Sequence, residues 1–262
     1  MTDPIINKLS ASEGLNWIGR SFSLYGKSAS IWIVMLVLYF GINLIFAMIP
    51  MMDLLPTLVA PLFTVGFYIG CKALEDGKML QIDHLFEGFK KNAGLLFRLG
   101  IFYFGFNLII FSITSVYLAN SVPESVVTMM TEAKTTQEME LVFRQHPDLL
   151  SSVLNSAMLA LLLSIPLVMA SWYAPALVYF NNIPPFKAML LSIKACNRNL
   201  SAYLVFGLLM FPLLILAILP FGLGLLVMLP VTIISQYVSY RATFSFVKED
   251  SEDGDDEGVL TL

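Results

Sequence analysis

The chain has 262 residues, of which 57% are hydrophobic and 13% charged, with a formal net charge of −4. Soluble domains run near 45–50% apolar and about 25% charged. With a mean hydropathy of +0.77, this composition excludes a disordered chain, a nucleic-acid binder and an ordinary soluble enzyme.

In chain order, the first thirty residues hold polar and charged side chains throughout. They lack the apolar stretch of a cleavable signal peptide, so none is expected. A bilayer core about 30 Å thick needs roughly 20 mainly apolar helical residues. Six stretches meet that demand: 31–49, 54–74, 95–118, 153–173 (continuing toward 180), 202–219 and 221–246. They are apolar all round, whereas a soluble surface helix keeps a polar face. The predicted fold is therefore all-α, a polytopic membrane protein with six transmembrane helices. The connection 119–152 is long and polar, and its 128–143 portion suits a helical hairpin or cap. Seven of the 19 acidic residues gather at 249–257, so 249–262 reads as a solvated, disordered tail.

The few charges predict orientation. Lys8, Arg20, Lys27, Lys72, Lys78, Lys90, Lys91, Arg98, Lys187, Lys194, Arg198, Arg241 and Lys248 fall on one side of such a topology, and only Lys134 and Arg144 on the other. The positive-inside rule makes the first side cytoplasmic and places both termini there. Cys71 and Cys196 then lie at a reducing face as free thiols.

An internal repeat is also legible. YFGINLI at 39–45 and YFGFNLI at 103–109 agree at six of seven positions, 64 residues apart. Pro61, Pro166 and Pro230 are each followed seven residues on by Tyr68, Tyr173 and Tyr237. The inferred unit is an amphipathic interfacial segment followed by a helical hairpin, in three copies: 13–75, 82–180 with the external loop 119–152, and 185–247. The entering segments, 13–27, 82–91 and 185–199, mix apolar and basic residues as interfacial helices do. Parallel repeats of this kind are related by an axis along the membrane normal, and a pseudo-threefold bundle is expected.

The motifs WYAPAL at 172–177, PFKA at 185–188 and SIKACNRN at 192–199, with LNWIGR at 15–20, carry a resemblance. The chain resembles a family of uncharacterised proteobacterial integral membrane proteins. More distantly it is similar to YciC-type inner-membrane proteins and to the membrane domain of some glycerophosphodiester phosphodiesterases. The resemblance implies a bacterial inner-membrane location, and it brings no catalytic residues, because the phosphodiesterase domain has no counterpart here.

Candidate sites follow from residue type and place. Asn43 and Asn107 occupy equivalent positions in the first and third spans. With Tyr68, Tyr173 and Tyr237 they either line a polar path along the pseudo-axis or hydrogen-bond helices together. Lys90, Lys91, Arg98, Lys194 and Arg198 form a basic group that either binds anionic lipid or serves membrane insertion alone. No acidic residue lies within the six stretches, which argues against a proton-coupled pump. Two histidines and two cysteines assemble no metal cluster, no cofactor is implied, and nucleotide, phosphoryl and acyl-transfer motifs are absent. The expected function is a non-enzymatic inner-membrane protein with a lipid-interacting or scaffold role, its partners being membrane lipids and not nucleic acid. The alternative is a small channel or transporter.

Overall fold

A computed structural model describes residues 4–49, 54–247 and 259–261. The chain opens with strand β1 (Ile5–Ile6), then α1 (Glu13–Lys27), α2 (Ala29–Met48) and α3 (Leu55–Glu75). A 3-10 helix at Ile82–Phe89 leads into α4 (Ala93–Ser121), followed by the short α5 (Glu124–Glu132) and α6 (Thr136–Gln145). Next come α7 (Pro147–Asn181), α8 (Pro185–Arg198), α9 (Leu200–Ile218) and α10 (Leu225–Thr243), and then β2 (Phe244–Val247) and β3 (Val259–Thr261). Six of these helices, α2, α3, α4, α7, α9 and α10, are long and apolar enough to cross a membrane. Their order, a short helix and then two long ones, recurs three times, with α5 and α6 inserted in the second round.

Two compact units divide the chain. One comprises 4–102 and everything described from Met169 onward; the other is Tyr103–Val168. In the first unit α3 and α10 are the inner helices, with 61% and 50% of their apolar windows buried against 17% for α2 and 22% for α9. That contrast is expected where lipid, rather than protein, solvates the outer helices. The amphipathic α1 buries Trp17, Ile18, Leu24 and Tyr25 and packs on α9 and α10. The 3-10 helix packs on α3, and Gly66 permits the approach: a Cβ there would overlap the Leu85 carbonyl. Close backbone contact at small residues is how membrane helices gain packing energy without a hydrophobic driving force.

In the second unit Val122, Val126, Val142 and Leu149 form a small core, joined by Leu118 and Met130. Helix α6 starts on a capping box: Thr135 accepts from the Glu138 amide at 3.2 Å and Glu138 returns bonds to the amides of Lys134 and Thr135. The helical cap expected in 119–152 is thus α5 and α6.

The structure departs from the expected all-helical chain in one place. β1, β2 and β3 form a three-stranded antiparallel sheet with β2 central, pairing Ile5 with Ser245 and Phe246 with Leu260. The sixth stretch, expected as 221–246, is helical only over Leu225–Thr243. Phe221 and Gly222 adopt positive φ in a turn before it, and Phe244–Val247 is strand. Apolar content cannot tell a helix from the strand that continues it. Residues 259–261, expected in a disordered tail, pair with β2; 249–258 lie outside the described residues.

Candidate functional site

Where the second round of helices begins, asparagine chemistry shapes the chain. Asn92, between the 3-10 helix and α4, has φ 57° and Asn182, just past α7, has φ 53°. Asparagine tolerates this left-handed region better than most residues. The Asn92 amide nitrogen donates to Asn182 Oδ1 at 2.7 Å and to the Val178 and Tyr179 carbonyls at 3.3 Å. The start of α4 is therefore bolted to the end of α7. Alongside, the Lys91 ammonium lies 5.4 Å from the centre of the Tyr179 ring, and Phe102 of α4 meets Phe186 of α8 with centroids 6.0 Å apart.

This corner gathers part of the predicted basic group. Lys90, Lys91 and Arg98 are exposed, and Arg98 sits one helical turn before Phe102 on the same face. Lys187, next to Phe186 and also exposed, joins them; its place in the group could not be read before α4 and α8 were known to meet. Lys90 also bonds Glu87 at 2.6 Å, which holds its ammonium above the usual lysine range. Lys194 and Arg198 lie further along α8, roughly 10–16 Å from Lys187 at 1.5 Å per residue. Their neighbour is a different segment: Asn199 accepts from the Leu9 amide at 2.8 Å and donates to the Asn7 carbonyl at 3.0 Å, which brings exposed Lys8 to that end. The structure thus places exposed Lys187 next to the ring contact between α4 and α8, and exposed Lys8 at the Arg198 end of α8, two lysines outside the predicted group.

The predicted polar-path residues are placed as follows. Asn43 and Asn107 each donate to the carbonyl four residues back, Tyr39 at 2.6 Å and Tyr103 at 2.8 Å. Tyr68, Tyr173 and Tyr237 are buried and converge on α10. Tyr68 donates to Gln236 at 2.8 Å, Tyr173 pairs with the Thr243 hydroxyl at 2.9 Å, and Tyr237 donates to Glu75 at 2.9 Å. Tyr68 and Tyr237 also stand ring to ring at 6.0 Å. Glu75 further meets Arg241 at 3.6 Å, so the end of α3 is tied twice to α10.

One contact between α7 and α8 left no trace in the sequence. The Ser192 hydroxyl accepts from the Tyr173 amide at 3.0 Å and donates to the Met169 carbonyl at 2.5 Å. It thereby bonds both members of one i, i−4 pair of the continuous helix α7. Cys196, one turn on, reaches the same carbonyl at 3.6 Å, and burial pushes its thiol up to about 11.

A probable inner membrane protein of Burkholderia thailandensis is 27% identical to this chain over 261 residues, which covers 90% of the chain and 93% of that protein. No family model matches, and no solved structure matches. With six membrane-length apolar helices, this similarity makes the chain a multi-pass inner-membrane protein.

Proposed function

We propose that this is a non-enzymatic, lipid-interacting protein of the bacterial inner membrane, with both termini cytoplasmic and three parallel repeats. One observation carries the reading: exposed cations share the corner of α4 and α8 with exposed aromatic rings, Arg98 beside Phe102 and Lys187 beside Phe186. Rings suit the acyl boundary and cations the phosphates above it. The other entering segment, α1, also exposes both kinds of side chain, Arg20 and Lys27 on one face and Leu15 and Phe22 on another. The distant kinship with YciC-type proteins and with the phosphodiesterase membrane domain belongs to the same proposal. Its support is the motifs at 172–177 and 192–199. Pairing of β1 with β2 brings the two ends of the chain together, as an even number of crossings requires.

Native mass spectrometry of the protein released from bilayers of phosphatidylethanolamine, phosphatidylglycerol and cardiolipin tests the site. Replacing Lys90, Lys91, Arg98 and Lys187 by Gln should strip retained anionic lipid while leaving retained phosphatidylethanolamine unchanged. Equal retention of anionic lipid by the parent and the variant overturns the reading. Replacing Lys194 and Arg198 by Gln tests those two cations in the same way.

A further inference from the structure

The turn between α9 and α10 has no polar side chain. From Leu204 to Val231 every residue is apolar, glycine or proline, so the hairpin has no hydrophilic tip. The tip is nonetheless fully outward: Leu219 and Leu223 are 72% and 64% exposed, and Phe221 is completely so. A turn in water leaves its backbone groups to the solvent, but this one closes on itself. The amides of Phe221, Gly222, Leu223 and Leu225 donate to the carbonyls of Leu219, Ile218, Pro220 and Gly222 at 2.9–3.0 Å. Leu226, Val227 and Met228 continue the pattern to Leu223 and Gly224. Gly222, at φ 78°, allows the reversal. Gly224 lets α10 pass against the backbone of Ala217, which a Cβ would strike.

Helix length agrees. At 19 residues each, α9 and α10 are about 28 Å long at 1.5 Å per residue, just under the roughly 30 Å of a hydrocarbon core. Arg198 and Arg241 mark the other end of the pair. Backbone that meets lipid must satisfy its own hydrogen bonds, as the amides of Phe221, Gly222, Leu223 and Leu225 do here.

We propose that the α9–α10 hairpin does not emerge into water, but ends within the leaflet far from the β-sheet, with Leu219, Phe221 and Leu223 in contact with acyl chains. The interaction surface is the turn itself, and its partner is lipid hydrocarbon. This does not depend on the basic corner or on which side is cytoplasmic.

Spin labels on Phe221→Cys and, as a water-exposed reference, Thr135→Cys test the placement in the full chain, reconstituted into phosphatidylethanolamine–phosphatidylglycerol vesicles. The native Cys71 and Cys196 are buried, and the parent protein sets the background. The label at 221 should relax with oxygen and resist a water-soluble nickel chelate, with the reverse at 135. Labelling of Phe221→Cys by a charged maleimide should be at least about tenfold slower than at 135, because a thiol in hydrocarbon does not ionise. A label at 221 open to the nickel chelate puts the turn in water and overturns the proposal. A label closed to both relaxants puts it under protein and overturns it equally. As a second arm, Phe221→Asp should sharply lower the yield of inserted protein and Phe221→Leu should not; an aspartate tolerated as well as leucine also overturns the proposal.

Discussion

The hydroxyls of Tyr68, Tyr173 and Tyr237 fasten helices to one another. Tyr173 is fully buried and spends its hydroxyl on Thr243, so Tyr173→Phe strands a buried threonine. Interhelical hydrogen bonds in membranes are worth about 0.6 kcal/mol and at most about 2. A loss in that range is expected in thermal unfolding of the detergent-solubilised protein. Ser192→Val should cost more, about 1–3 kcal/mol, because both the Tyr173 amide and the Met169 carbonyl lose a buried partner; Ser192→Thr, which keeps the hydroxyl, should recover most of it. Residue types at fixed spacing made the three tyrosines visible in the sequence, but not their partners. Tyr68 and Gln236 lie 168 residues apart, and no local pattern encodes such a pair. The same holds for Lys187, whose membership of the basic corner depends on α8 meeting α4 through Phe186 and Phe102.

Secondary structure was legible where periodicity or apolar length decides it. The entering segment Glu13–Lys27 is α1 to the residue, because its apolar stripe and charged ends are both local. α4 and α7 run to 29 and 35 residues, beyond the apolar stretches that announced them. Good helix formers extend a helix past the point where hydropathy falls. The cap α5–α6 makes a pH prediction. Backbone amides of Lys134 and Thr135 hold the Glu138 carboxyl below the usual glutamate range. A depressed carboxylate stabilises the folded form above its unfolded pKa of about 4.3 and loses that contribution as pH falls through the lower folded value. The protection of the α6 amides, measured as exchange relative to the unfolded chain at the same pH, should therefore fall on acidification below about pH 4, and Thr135→Ala should bring the same loosening at neutral pH, at a cost of about 1 kcal/mol. Exchange in the variant as slow as in the parent would rule out the cap as the source.

For the whole molecule, the proposed orientation makes opposite predictions for two positions. A reporter fused after residue 90 should signal from the cytoplasm, and one fused after residue 135 from the far side, since 13 of the 15 basic residues lie on the side of residue 90. The reversed pair of signals would invert the topology while leaving the helix count intact. The small sheet stayed hidden at this scale too. Strands of two to four residues are too short to show alternation, and β1 and its partner β2 stand at opposite ends of the element order.

That meeting of the ends bears on how the protein is made. Ile5 and Ile6, which precede all six membrane-length helices, pair with Ser245 and Phe244, which follow them. Asn7 likewise waits for the Thr243 carbonyl, and Leu9 for Asn199. Trp17, wholly buried, is covered by Tyr203 and Phe206 of α9. During synthesis α1 can therefore settle early on α2 and α3, which it also touches, but its tryptophan face gains its cover only once α9 has been made.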